Sequence, residues 1–466
     1  MQAIFKKYDL RGIVGKQFNV SDAYNITKAI ITCFQLKYPT LKNIAVGMDG
    51  RTSSEAIKIE VCNAIIDSGF NAYFIGLCTT PILYFACNTI DVDAGIMITA
   101  SHNPKEYNGF KLVLQKESVW GDDITKIYNF YLTKQFCISP KKGSYYEYLM
   151  VDQYIDSLVN NFSHLMNANP NFVIDCGNGT AGVVIPKLIA KLNWSQVAIL
   201  YPEVDGNYPN HEPNPVEPEN MIAVKQYLTK HTTSAFGIGL DGDCDRVAAM
   251  TKTGYLIPGD LLLGIFALNI EPKYKPAAVM DAKCSDSIAT TLKKYGIPCY
   301  LSPSGHAFIK SYLKQHNAMI GGELSGHFCF KDRHFGFDDG IYAMLRLCEI
   351  LIQSNQTLDH FISLFPKAYC SPEFRIACTE EQKDLIVKSA RQACALWPNA
   401  KIIALDGVRV QTDGGWALVR AANTEPAISI RIEGYSMQAL QKLKLDLFEI
   451  IVKHIDRNEL AAKMDL

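Results

Sequence analysis

The 466-residue chain carries almost no net charge, because 46 Lys and Arg residues stand against 47 Asp and Glu. That balance excludes a broad electrostatic surface for nucleic acid or an anionic membrane. An anionic ligand would have to be met by a local cluster of cations. Long hydrophobic runs are absent too: the longest, Leu261 to Ile270, is too short to span a bilayer and predicts a buried helix. The 14 cysteines form no C-x-x-C pair and no regular framework, which excludes a disulfide scaffold and points to reduced thiols in the cytoplasm. The opening residues, Met1 to Tyr8, contain no apolar signal stretch, and no low-complexity segment occurs. The expectation is a cytoplasmic protein without nucleic-acid or membrane partners.

What is present is ample apolar material, 48% of residues, with 20% charged. At this length a single core is excluded and three or four domains are expected. One pattern recurs three times. Strands at Ile44–Asp49, Phe172–Asp175 and Ala278–Asp281 are each followed by a periodic helix, over about 54–68, 181–192 and 285–295. Each helix leads to a second strand, at Ala72–Ile75, Val197–Leu200 and Pro298–Leu301. Strand–helix–strand alternation predicts α/β units with mainly parallel pairing in mixed sheets. A third short strand then runs into a polar motif in every copy: Ile96–Thr99 into Ser101, Phe236–Leu240 into Asp241, and Met319–Gly322 into Glu323. Ligands bind beyond the carboxyl ends of such strands, so three equivalent loops are expected around a central cleft. The remainder reads as a helix, four strands and a final helix, an α+β domain with one loop at Arg420 to Pro426. The expected domains are 1–147, 148–251, 252–367 and 368–466. The first boundary is placed at a helical segment around 145–166. Residues 202–218, rich in Pro, Asn and Glu, are expected to form an irregular surface loop.

Ser101 follows an apolar strand and precedes the turn signals Asn103-Pro104 and Asn108-Gly109. A serine presented on such a loop is either a turn hydroxyl or the carrier of a covalent group. Asp241, Asp243 and Asp245 place three carboxylates at alternating positions, an oxygen site for a hard divalent cation. An EF-hand is excluded, because its sixth and twelfth positions would be Arg246 and Lys252. A loop serine and a carboxylate metal site together suggest phosphoryl transfer through a phosphoserine.

Four separated segments, Thr99 to Lys111, Asp241 to Arg246, Gly321 to His327 and Arg420 to Pro426, resemble the α-D-phosphohexomutase superfamily, in particular its bacterial phosphomannomutase/phosphoglucomutase group. Tyr8 to Gly12 and Ser304 to His306 support the resemblance, which covers nearly the whole chain. It implies reversible interconversion of hexose 1- and 6-phosphates of mannose and glucose, through phosphorylated Ser101 and a hexose 1,6-bisphosphate. It further implies one Mg²⁺ held by Asp241, Asp243, Asp245 and the phosphorylated Ser101, glucose 1,6-bisphosphate as activator, and a monomer acting on phosphosugars. Arg11 and Arg246 would face the transferring phosphoryl group, although either could instead pair with a neighbouring aspartate. His102 would support the serine loop. Proton transfer is left between Lys111 and His306. Glu323, Ser325 and His327 would grip the sugar, and Arg420, Ala422, Asn423 and Thr424, with Tyr8 and Lys283, the unreactive phosphate. Ala422 departs from the usual serine and removes one hydroxyl donor, while its backbone N–H is expected still to bind phosphate. The rival within the class is a phosphoglucosamine mutase. A phosphatase would share the serine and the metal site, and a silent sugar-phosphate binder would be expected to lose them.

Overall fold

The computed structural model describes residues 2–422 and 426–466. Two compact units emerge, one of residues 1–262 with 325–361, the other of residues 263–324 with 362–466.

In the first unit, a seven-stranded sheet is ordered Leu10–Ile13, Tyr107–Leu114, Ala94–Ile98, Asn43–Met48, Asn71–Leu77 and Tyr145–Glu147, with Glu117–Ser118 beside Tyr107–Leu114. Its centre is parallel: Asn43–Met48 pairs with Asn71–Leu77 on one side and Ala94–Ile98 on the other. Ala94–Ile98 is buried along its whole length, because both faces of the sheet are covered. Ile44, Val46, Ile96 and Ile98 join a core with the helices Asp22–Lys37, Ser54–Asp67 and Asp122–Thr133. The helix Thr80–Thr89 covers the opposite face, with Leu83 and Cys87 tight against Gly95.

A second sheet in this unit repeats the arrangement. Val173–Asp175 lies in parallel between Ala198–Leu200 and Phe236–Leu240, followed by antiparallel Val247–Thr251 and Leu256–Ile257. In the second unit Ala278–Asp281 lies in parallel between Cys299–Ser302 and Ile320–Gly322. The expected threefold recurrence is therefore present strand for strand, and the third strand of each copy carries the motif. The apolar run at 261–270 lies mostly in the helix Gly259–Leu268. The last sheet, Lys401–Ile403, Val408–Thr412, Gly415–Ala421 and Ala427–Gly434 with Phe374–Ala377 and Tyr369–Cys370, is antiparallel. Its alternation is clean: Val408, Val410, Ala417, Val419, Ile428, Ile430 and Ile432 pack on Glu380–Cys394 and Met437–Ile451. Arg409, Trp416, Arg420, Ser429 and Arg431 occupy the intervening positions.

Two expectations are corrected. Tyr145–Glu147 is a parallel edge strand beside Asn71–Leu77 and not helix; the helix there is Val151–Asn161, followed by a 3₁₀ turn at Ser163–Leu165. Two adjacent tyrosines suit a pleated edge better than a helix start. The helix expected over 181–192 is split into a 3₁₀ turn, Thr180–Val183, and Ile185–Lys191. Pro186 has no N–H to continue a helix and opens the second piece. Residues 202–218 are irregular, yet they are anchored: Tyr208 is buried, and His211 Nε2 lies 3.2 Å from Asp175 Oδ2 while Nδ1 lies 2.8 Å from the Glu212 carbonyl.

Burial works against charge on His211, but Asp175 and the Glu212 carbonyl outweigh it and raise its pKa above the ordinary histidine value. With a folded pKa above the unfolded one, the stabilisation is complete below about pH 6.5 and fades as pH rises through the folded value. Melting temperatures of wild type and His211→Gln should therefore differ most at pH 5.5 and converge towards pH 8.5.

Candidate active site

Ser101 sits in the turn after Ala94–Ile98 with a left-handed backbone (φ 54°) and is 1% exposed. Its N–H donates to Thr99 Oγ1 (2.9 Å), and its hydroxyl donates to Asp241 Oδ2 (2.9 Å), 140 residues away. His102 Nδ1 lies 3.1 Å from the same hydroxyl oxygen. Burial, with Arg246 and Arg11 nearby, holds His102 well below the usual imidazole range, so it is neutral and its Nδ1–H can donate to Ser101 Oγ while the hydroxyl proton serves Asp241.

The opposing loop follows Phe236–Leu240. Asp241, Asp243 and Asp245 are all buried, with one oxygen of each within 4.8 Å of the others. Gly242 allows the approach, since a Cβ there would lie 2.5 Å from the Ser101 carbonyl oxygen. Cys244 takes up a left-handed backbone (φ 63°), and its thiol faces the Asp241 carbonyl, on the inside of the turn. The Thr180 N–H and hydroxyl both donate to the Gly242 carbonyl at 2.9 Å.

Lys111, on Tyr107–Leu114, bridges two of the carboxylates: Nζ lies 2.6 Å from Asp243 Oδ2 and also bonds Asp245. Burial opposes its charge, yet Asp243 and Asp245 hold the ammonium well above the usual lysine range. Burial alone would raise Asp245, but Lys111, His327 and Arg246 hold it well below the carboxylate range. Burial with Asp245 and Asp243 alongside pushes Asp241 well above it. Asp243 Oδ2 also accepts from the Thr80 hydroxyl (2.5 Å), and the Thr80 N–H reaches the Asp243 carbonyl (2.9 Å).

Asp243 Oδ1 is buried with no hydrogen-bond partner among the described residues, and Asp245 Oδ1 meets only His327 Nε2 at 3.3 Å. An orphaned carboxylate oxygen in an all-oxygen cluster fits a hard divalent cation. Asp245 also belongs to a second group with His327 and Asp338, whose mixed nitrogen and oxygen donors suit such a cation less well.

Arg11 pairs with Asp9 and with the Asn103 side chain, which ties it to the serine loop. Arg246 donates its N–H to Asp241 Oδ1 (3.1 Å), while its Nε faces His327 Nε2 at 3.3 Å. Ser325 Oγ lies 3.0 Å from His327 Nδ1. Tyr8 is in the same unit, its ring 6.5 Å from that of Trp120.

The second unit gathers the remaining residues around two ion pairs. Arg420 Nε donates to Asp406 Oδ2 (2.6 Å), which also accepts the Ser304 N–H (3.0 Å). Glu323 Oε1 accepts the Gly305 N–H (2.7 Å), beside His306 at the start of the helix His306–Gln315. Lys283 Nζ lies 3.2 Å from Glu373 Oε2, and Glu373 Oε1 accepts from Ser429, the residue opposite Arg420 in the sheet. Asn423 and Thr424 lie outside the described residues. The Ala422 N–H, expected still to bind phosphate, donates to the Ala427 carbonyl at 2.8 Å.

Motif reading missed Thr80, Asp406, Glu373 and Ser429. Of these only Asp406 carried a signal, the turn dipeptide Asp406-Gly407.

Models of the phosphoglucomutase/phosphomannomutase α/β/α domains I, II and III match residues 2–137, 152–254 and 258–369, and that of the C-terminal domain matches 373–450. A phosphomannomutase/phosphoglucomutase of Pseudomonas putida is 37% identical over 447 residues, 96% of this chain and 94% of its own. A phosphoglucomutase of Neisseria gonorrhoeae is 37% identical over 446 residues, 95% of each chain. The crystal structure of a phosphoglucomutase/phosphomannomutase family protein from Burkholderia thailandensis superimposes with a TM-score of 0.89 at 31% identity, covering 97% of both chains. The chain belongs to the phosphoglucomutase/phosphomannomutase family. Among the described residues no helix is long and apolar enough to cross a membrane.

Replacing Lys111 by Met strands Asp243 and Asp245 without their shared cation. The metal-free variant should lose roughly 3–5 kcal/mol of unfolding free energy, measured by denaturant titration. A divalent cation in the buffer should restore part of that loss.

Proposed function

We propose that this protein is a mutase interconverting the 1- and 6-phosphates of mannose and glucose through phosphorylated Ser101 and a hexose 1,6-bisphosphate. One observation carries the reading: a buried serine hydroxyl in a left-handed turn rests directly on the first of three clustered aspartates.

Phosphorylated Ser101 is the donor. A sugar hydroxyl attacks the phosphorus, the bond from phosphorus to Ser101 Oγ breaks, and the leaving oxygen takes up a proton. The attacking hydroxyl gives its proton to a base; of the two candidates, Lys111 is held as an ammonium by Asp243 and Asp245, which leaves the role to His306. Arg11 and Arg246 supply guanidinium N–H groups to oxygens whose charge shifts in a loose transition state. Asp241, Asp243 and Asp245, with an oxygen of the phosphorylated serine, would hold Mg²⁺, which supplies positive charge against the crowded phosphates. Neutral His102 holds Ser101 Oγ in place when the phosphoryl group has left. Glu323, Ser325 and His327 are assigned to the sugar hydroxyls.

The unreactive phosphate is assigned to Arg420 and Lys283 with the 420–426 loop and Tyr8. Both cations already have carboxylate partners, Asp406 and Glu373, so an arriving phosphate enters a paired network and not a bare positive pocket. The bisphosphate then turns around, its second phosphate faces Ser101, and transfer back restores the phosphoenzyme. Glucose 1,6-bisphosphate, as activator, would rephosphorylate any Ser101 left bare.

Phosphorus NMR of mannose 1-phosphate with the protein, Mg²⁺ and a trace of glucose 1,6-bisphosphate should show mannose 6-phosphate without free phosphate. Ser101→Ala should reduce turnover to background, and EDTA should abolish it until Mg²⁺ is returned. Free phosphate as the main product would identify a phosphatase, and turnover of glucosamine 1-phosphate alone would move the chain to the rival mutase.

A further inference from the structure

Beneath the serine loop lies Arg51, 2% exposed and outside every motif. Its guanidinium has five N–H groups, and each has an acceptor. Nη2 donates to the carbonyls of Ser101 (2.8 Å) and Asn103 (2.6 Å), and Nη1 to those of Pro104 (2.7 Å) and Tyr107 (3.0 Å). Nε donates to Asp49 Oδ2 at 3.2 Å. Asp49 Oδ1 accepts in turn from the Arg51 N–H (3.0 Å) and the Ser54 hydroxyl (2.6 Å), which fixes the anchor. Tyr208 covers the guanidinium, its ring centre 5.3 Å from Cζ. The ring comes from the loop at 202–218, where Gly206 is seated so closely that a Cβ would lie 2.5 Å from the Gly50 carbonyl oxygen.

We propose that Arg51 is a positioning residue that locks the Ser101 turn in its left-handed form and holds Oγ against Asp241, with Tyr208 steadying the guanidinium. The proposal rests on Ser101 being the phosphoryl carrier. A non-glycine residue at φ 54° persists only where its surroundings over-determine it. Four carbonyls tied to one rigid plane supply that constraint, for a loop that must stay in place both with and without its phosphoryl group. A lysine cannot substitute, because three donors on one flexible ammonium do not reproduce the planar fork. Arg51 touches none of the reacting atoms, so its loss should appear in the transfer step and not in substrate capture.

The test compares wild type, Arg51→Lys, Arg51→Gln, Tyr208→Leu and Ser101→Ala, each checked for folding by circular dichroism, with glucose 1-phosphate as substrate. Arg51→Lys should lower kcat by about 100-fold, the scale of a reacting group displaced by an ångström, with KM within about threefold of wild type. Tyr208→Leu should lower kcat in the same direction by a smaller factor. A folded Arg51→Lys with wild-type kcat, or with its loss confined to KM, overturns the proposal. If neither Arg51 variant folds, Tyr208→Leu decides, and wild-type kcat in that variant overturns it. An active Ser101→Ala would instead remove the phosphoserine reading itself.

Discussion

Three carboxylates whose oxygens lie within 4.8 Å of one another cannot all stay ionised in a protein interior unless positive charge is close by. Lys111 meets that demand at Asp243 and Asp245, and the Arg246 guanidinium, its Nε 3.9 Å from Asp241 Oδ2, from another side. Even so, Asp243 Oδ1 is left over and Asp245 Oδ1 meets only His327, and it is this remainder that gives the cluster its capacity for a cation. Placing the cluster costs stability and has to be offset elsewhere. The offset comes from sheets buried on both faces, where small residues such as Gly95 let a helix lie almost on the strands.

The arrangement depends on two loops that start from equivalent places in repeated folds. Each leaves the third strand of a parallel triplet, and each turns through a left-handed non-glycine residue, Ser101 in one and Cys244 in the other. The first presents a hydroxyl and the second presents carboxylates, so one backbone solution is used for opposite chemical parts. The second unit follows a different logic. Its cations are stored as ion pairs: Arg420 with Asp406, on the side of an antiparallel sheet opposite the core, and Lys283, from the turn after the parallel strand Ala278–Asp281, with Glu373. For Arg420, the alternation that builds the domain also selects the face it occupies.

Much of this was legible in the chain because it is local. Aspartates at 241, 243 and 245 are neighbours by spacing alone, and a serine after an apolar strand and before two turn signals is recognisable without a fold. The threefold strand pattern was legible for a similar reason, since buried parallel strands are short apolar runs. Arg51 and Thr80 were not legible: each is an ordinary residue in an ordinary turn, and each matters through partners that only folding brings near. Glu373 was hidden likewise, and Asp406 was marked only as a turn residue, the value of both lying in the cations they hold. The acceptor of the Ala422 N–H, Ala427, was not legible either, because it is set by hairpin register, which a motif does not encode. Tyr145–Glu147 was misread because an edge strand takes its identity from the vacant side of its neighbour.

The division of the chain has a consequence for how the protein is made. Residues 1–262 belong with 325–361, while 263–324 belong with 362–466. During synthesis the ribosome therefore releases most of the first unit, then a whole stretch of the other, before the segment that completes the first. Domains generally fold as units, amino-terminal first, at the pace of translation. Here the nascent chain must carry an unfinished partner through that interval, and the Glu323-Leu324-Ser325 motif, with the unit boundary between its second and third residues, marks the point at which the wait ends.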